Sequence, residues 1–268
     1  MKLPIYQIDA FTSKLFGGNP AAVCPLDQWL TDDVMQKIGI ENNLSETAFF
    51  IPDSSRSAAE GVARYKLRWF TPAREIELCG HATLASAFVI FKYLNLTANA
   101  IEFDSMSGIL TVTRNEDLIT LDFPSIPVTP TALRSDLVEA LGIAPALLYN
   151  SQRTLAVFEN AEQILNMKPN LSKLAAIPDI SGIAVTAPGV DCDFVSRFFI
   201  PKFGIDEDPV TGSAHCILIP YWADRLGKSK LFARQLSSRG GELWCESLGD
   251  RVKMSGKAVE YMRGEIEV

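Results

Sequence analysis

Two stretches of the chain are apolar on nearly every side at helical spacing, one opening on a glycine and the other directly following one. Residues 80–94, "GHATLASAFVIFKYL", leave no polar stripe, which predicts a central helix rather than a surface one. Residues 213–223 repeat that character. Shorter alternating, β-branched runs follow each helix: "IEFDS", "GILTVTR" and "LITLDF" after the first, "LFARQLSS", "GELWCES" and "DRVKMSG" after the second. Period-2 alternation of this kind predicts half-buried strands, and Asn115-Glu116-Asp117 and Gly240-Gly241 supply turns between them. Ahead of each helix, an amphipathic segment (31–40, then 131–143) precedes a strand (45–51, then 154–159).

The order of elements is therefore written twice. Arg68-Trp69-Phe70-Thr71-Pro72 corresponds to Arg197-Phe198-Phe199-Ile200-Pro201, and an acid-containing loop of seven or ten residues leads from each Pro to a Gly. A chance match of Arg-aromatic-Phe-x-Pro is the alternative, but the matching order of elements argues for a repeat. The expected fold class is α+β: two pseudo-repeated domains, each with strands wrapped around one apolar helix. The proline-rich "FPSIPVTPT" (123–131) suits a linker, dividing the chain into 1–124 and 125–268.

Composition narrows the partners. A formal net charge of −7 disfavours nucleic acid or an anionic membrane surface, and no apolar run approaches the ~20 residues a spanning helix needs. The opening "MKLPIYQIDAFTS" shows no apolar signal region. Five cysteines without a C-x-x-C pair argue against a disulfide framework or structural zinc, and the expected setting is a reducing cytoplasm.

Both histidines of the chain stand at the two helix starts, in "CGHAT" and "TGSAHC". A helix N-terminus offers unpaired N–H groups and partial positive charge, so Gly80, and Gly212 with Ser213, are candidate binders of a substrate carboxylate. The two starts, facing each other across the domain boundary, would form a cleft; the alternative is that the glycines only relieve crowding. His81 is a candidate general acid or proton relay, against an ordinary core histidine. His215, deeper in its helix, reads as structural. Cys79 reads as a buried bystander, because the second copy has no matching thiol.

Two carboxylates complete the inventory. Glu46 shares a strand face with Leu44, Ala48 and Phe50; inward, it is a desolvated acid–base with a raised pKa. Phe49 and Ile51 give the opposite face an equal claim, which would leave Glu46 in solvent. Asp208 precedes Pro209 just ahead of the second helix start, while Asp206 and Glu207 read as solvated neighbours. "FGGNPAAV" adds a Gly-Gly turn and Asn19, whose amide can orient a substrate. No phosphate-binding loop, dinucleotide fingerprint or metal-ligand cluster is present in the sequence pattern. This set suits cofactor-free proton transfer beside a carboxylate or carbonyl.

"QIDAFTSKLFGGNPAAV", "NLSETAFF", "RWFTPAREIELCGHATLASA" and "DPVTGSAH" resemble, in order and spacing, the PhzF-like phenazine-biosynthesis isomerase family. The resemblance implies the diaminopimelate-epimerase fold, with a mixed β-barrel around each central helix, a C-terminal strand (about 260–268) returning to the first domain, and the site between domains. It implies a cofactor-free enzyme, usually a homodimer, whose phenazine member isomerises a dihydro-hydroxyanthranilate by carbon-to-carbon proton transfer. The family's catalytic Glu, His and Asp match Glu46, His81 and Asp208, and its carboxylate-binding helix starts match Gly80 and Gly212-Ser213. Diaminopimelate epimerase uses two cysteines, of which only Cys79 has an echo here, favouring carboxylate chemistry. The expectation is a PhzF-like isomerase of a small carboxylate-bearing metabolite. The alternatives are an amino-acid racemase or epimerase using two carboxylates, or a non-catalytic binding homologue.

Overall fold

The computed structural model describes residues 1–55 and 59–268. The chain divides into two compact units, Met1–Asp122 with Ser255–Val268, and Phe123–Met254. The returning segment thus begins ahead of residue 260.

In the first unit the elements run β1 (Lys2–Ala10), β2 (Asn19–Pro25), α1 (Asp32–Asn42), β3 (Glu46–Pro52), β4 (Val62–Phe70) and β5 (Glu75–Ile76). They continue with α2 (Gly80–Val89), β6 (Ala100–Ser105), β7 (Gly108–Asn115) and β8 (Leu118–Pro124). In the second unit come β9 (Thr129–Thr131), α3 (Ser135–Leu141), β10 (Leu147–Asn150), β11 (Thr154–Val157), α4 (Ala161–Leu165) and α5 (Leu171–Ala176). Then follow β12 (Ile183–Pro188), β13 (Phe194–Ile200), β14 (Ile205–Glu207), α6 (Gly212–Leu226), β15 (Lys230–Gln235), β16 (Gly241–Ser247) and β17 (Arg251–Gly256). The last strand, β18 (Ala258–Glu267), pairs antiparallel with β1.

Both sheets are mixed, and their pairing repeats. In the first unit β1 runs antiparallel to β2, β2 parallel to β3, β3 antiparallel to β4, β4 parallel to β6, and β6 antiparallel to β7. The second unit repeats this with β10, β11, β12, β13, β15 and β16. Short β5 and β14 lie antiparallel on β4 and β13.

Side-chain alternation assigns the faces of each sheet. Phe49 and Phe70 share a cluster with Met35 and Ile38 of α1. In the second unit Ile183, Val185, Val195 and Phe199 pack with Leu137, Ile164 and Leu174 of α3, α4 and α5. Residues of the opposite parity meet the central helix: Trp222 of α6 stacks on Phe194 at 5.7 Å and donates through Nε1 to Thr186 Oγ1 at 2.9 Å. Buried side chains of α2 and α6 thus occupy one face of each sheet, and amphipathic helices the other.

The Arg-aromatic-Phe-x-Pro motif proves to be a structural clasp. Arg68 forks onto Glu75 of β5 with two bonds of 2.6 Å, and Arg197 onto Glu207 of β14 with bonds of 2.7 and 2.8 Å. Each guanidinium also reaches the outer helices, Arg68 to Asp32 at 2.9 Å and Arg197 to the carbonyls of Ile164 and Met167. Glu207 is therefore not the solvated neighbour its position suggested; its side chain is only 20% exposed. Replacing Arg197 by Ala strands that carboxylate and frees two carbonyls, so a stability loss of about 2 kcal/mol is expected in thermal or urea unfolding. An unchanged melting temperature would rule out the clasp.

Three element boundaries differ from expectation. The helix expected at 131–143 is confined to Ser135–Leu141, because Thr129–Thr131 instead pairs with β10; this also places a strand inside the proline-rich segment. Residues 90–94 continue α2 as a π-helical turn closed by Asn95 N–H on the Ile90 carbonyl at 2.7 Å. Helix α6 runs on to Leu226 although Pro220 lies inside it. Pro220 has no N–H for the Cys216 carbonyl four residues back, and Ile126 N–H satisfies that carbonyl at 2.9 Å. No described helix is long and apolar enough to cross a membrane.

Candidate active site

Strand β3 is interior, flanked by β2 and β4, and four consecutive residues from Thr47 to Phe50 are buried. Phe49 faces α1, so Glu46 takes the opposite face, where α2 begins. Glu46 Oε2 lies 3.1 Å from His81 Nε2, with side chains 12% and 5% exposed. The approach is an ion-pair contact rather than an aligned hydrogen bond, and neither atom has another hydrogen-bond partner among the described residues. The alternative that leaves Glu46 in solvent is excluded.

On the other side of the ring, His81 Nδ1 meets the Asn19 amide nitrogen at 3.1 Å and Cys79 Sγ at 3.5 Å. An amide N–H donating to Nδ1 places the neutral ring's proton on Nε2, toward Glu46. Asn19 is fully buried at the first position of β2, opposite Ala10. Three residues, Glu46 of β3, Asn19 of β2 and Cys79 just ahead of α2, thus converge on one imidazole.

Burial by itself would lower the His81 pKa, yet its interactions with the neighbouring Cys79 and Glu46 side chains raise it well above the ordinary value. The Cys79 thiol is itself pushed up to about 11, mainly by burial. At neutral pH Cys79 is therefore a thiol, and the Glu46 carboxylate is the charge that favours imidazolium. This argues against thiolate catalysis and for a carboxylate–imidazole pair. Glu46, Cys79 and His81 also have ligand atoms within 4.8 Å of one another, a spacing that could accept a metal ion.

The second unit holds the remaining candidates. Asp208 is half-buried; its Oδ2 accepts from Thr211 Oγ1 at 2.5 Å and its N–H donates to the Phe198 carbonyl at 3.0 Å. Gln235, at the end of β15, fastens this turn three ways. Its Nε2 donates to the Asp208 carbonyl at 2.7 Å and Thr211 Oγ1 at 3.2 Å, and its Oε1 accepts from Thr211 N–H at 2.9 Å. Sequence reading missed Gln235 and Thr211. Only Thr211, three residues from Asp208, carried a local signal, since short polar side chains in a turn bond nearby groups.

At both helix starts the N-cap side chain makes no capping bond. Thr211 spends its hydroxyl on Asp208, and Cys79 lies beside His81. By contrast, Asn160 and Asn170 cap α4 and α5. Helices α2 and α6 therefore present first-turn N–H groups suited to an anion. Gly80 and Gly212 are buried and Ser213 is exposed.

His215 is completely buried. Its Nδ1 meets the Thr211 carbonyl at 2.8 Å, and burial lowers its pKa to about 4. Below its unfolded pKa of ~6.5 the unfolded chain takes up a proton that the native ring refuses until about pH 4. Its contribution is complete above pH 6.5 and is lost on descending to pH 4, by about 3 kcal/mol. His215→Gln is expected to flatten the fall in melting temperature over this range. An identical slope in the variant would refute the assignment.

Known proteins share this sequence and fold. The sequence signature of the family described as "Phenazine biosynthesis-like protein" (PhzC-PhzF) matches residues 8–264. An uncharacterized isomerase of Pseudomonas aeruginosa is 47% identical, with all of both chains covered. The crystal structure of a PhzF-family phenazine biosynthesis protein from Enterococcus faecalis superposes with a TM-score of 0.95, 45% identity and all of both chains covered. A hydroxyproline epimerase from Agrobacterium vitis shares the fold alone, with a TM-score of 0.63 and 8% identity over 99% of this chain and 92% of that one. With its α+β architecture and near-complete sequence match, the chain belongs to the PhzF-like family of isomerases.

Proposed function

We propose that this isomerase moves a proton between carbons of a small carboxylate-bearing metabolite without a cofactor, with Glu46 as the base. The observation that carries the reading is the buried 3.1 Å pair of Glu46 and His81, its imidazole held from behind by Asn19. Glu46 takes a proton from a carbon made acidic by an adjacent carbonyl or carboxylate. His81, whose pKa lies above the ordinary range, stabilises the ionised base and relays the proton on its return. The Asn19 amide suits both ring states: its nitrogen donates to a neutral ring and its oxygen can accept from imidazolium after a flip. Asp208, oriented by Thr211 and Gln235, is the second acid–base group. The first-turn N–H groups at Gly80 and at Gly212-Ser213 hold substrate carboxylate.

The test is incubation of the protein with a panel of small unsaturated carboxylates and amino acids in deuterated water, followed by NMR. The expected result is deuterium incorporation with migration of a double bond. Incorporation with inversion at a stereocentre would replace this reading by a racemase. Binding without any exchange would replace it by a non-catalytic binder.

A further inference from the structure

The second unit contains a polar cavity of about 260 Å³ in which none of Glu46, His81, Asp208, Gly212 or Ser213 takes part. Its lining includes Arg134, Asn150, Arg153, Asp179 and Ser181, and its charged groups are two guanidiniums against one carboxylate. Asp179 is engaged by Arg134, which also holds Asp136. Arg153 is different: it is half-buried, and among the described residues no carboxylate pairs with it. Its Nη1 donates to Ser181 Oγ at 2.7 Å, and its guanidinium lies 5.9 Å from the centre of the Phe203 ring. One of five donors is thereby used, and the Nε–Nη2 edge keeps the geometry that grips an oxyanion with two parallel bonds.

The lining segment 179–181 is braced from its flanks. Lys202 Nζ donates to the carbonyls of Ile177, Pro178 and Ile180 at 2.6, 2.7 and 3.0 Å. That brace fixes the segment carrying Asp179 and Ser181, and the adjacent Phe203 supports Arg153. Burial pulls the Arg153 pKa below its ordinary value, the sign of a desolvated cation lacking a counter-charge. Such a cation costs folding energy, which a bound anion would offset.

We propose that this cavity is a binding site for a small oxyanion, phosphate or carboxylate, held by Arg153 and Ser181. The site stands apart from the proposed proton-transfer chemistry and does not depend on it. Calorimetric titration of the full chain with inorganic phosphate and with acetate, at ionic strength matched by chloride, tests it. The wild type is expected to bind one of the two, the tighter ligand identifying a phosphoryl or carboxylate class. Arg153→Gln is expected to weaken that binding at least tenfold, and Ser181→Ala several-fold. Since Arg153→Gln could fail to fold, wild-type crystals soaked in selenate provide an independent reading, with an anomalous peak expected within hydrogen-bond distance of Arg153 and Ser181. Undiminished affinity in Arg153→Gln, or selenate bound only elsewhere, would overturn the proposal.

Discussion

Glu46→Gln is expected to lower turnover by roughly 10³-fold while substrate affinity changes by less than about threefold, since general acid–base groups contribute 10²–10⁴. Glutamine keeps the shape and burial of the side chain but cannot accept a proton at neutral pH. The first-turn N–H groups proposed to hold the substrate carboxylate are untouched, so binding persists. A second readout separates the loss of a base from general damage. Glu46 is the charge that favours imidazolium in a ring whose burial opposes it. In Glu46→Gln the His81 pKa, followed by NMR, is therefore expected to fall. A variant with full turnover on a confirmed substrate, or with an unmoved His81 titration, would remove Glu46 from the mechanism.

Gly18→Ala is expected to destabilise the first unit by about 4 kcal/mol, combining left-handed strain with a steric clash. Gly18 has φ +60°, and an added Cβ would lie 2.1 Å from the Ala10 carbonyl oxygen and 2.8 Å from Thr12 Cγ2. The oxygen is backbone, so β1 or β2 must shift. The residue that moves first is Asn19, next in the chain and in contact with His81. Loss of melting temperature should thus accompany a fall in kcat in whatever folded protein remains. Gly142→Ala isolates the strain alone, because Gly142 has φ +76° with nothing within 4 Å of its added Cβ. That control is expected to cost about 1 kcal/mol. Equal losses in the two variants would show that the clash at Gly18 is relieved without consequence.

Much of the architecture was legible along the chain. The two apolar helices were visible because a segment buried all round shows no polar stripe at helical period. The repeat was visible because an arginine spaced to reach an acid in the next loop leaves the same mark in both copies. What that mark meant was not legible: Arg68 and Arg197 tie short strands and outer helices together, and Glu207 is a clasp partner. The start of β9 was hidden by prolines, which remove a donor yet are tolerated at a strand with few partners.

The candidate site divides along the same line. His81 and Gly80 were marked locally, by a histidine beside a glycine at a helix start. Glu46 was left undecided, because both faces of β3 are buried and period 2 carries little information when the apolar run Ala48–Ile51 covers both faces. Gln235 lies 24 residues from Thr211 and had no local sign at all.

By itself, then, the sequence determined the two buried helices, the duplicated order of strands and the residue types available for proton transfer. These depend on local periodicity and short spacings. The tertiary structure alone decided that Glu46 faces α2 and meets His81 at 3.1 Å, that Asn19 supports the same ring, and that Gln235 locks the Asp208 turn. Those choices depend on which element packs on which face of a sheet. A face is selected by burial against distant segments, and no nearby residue records it.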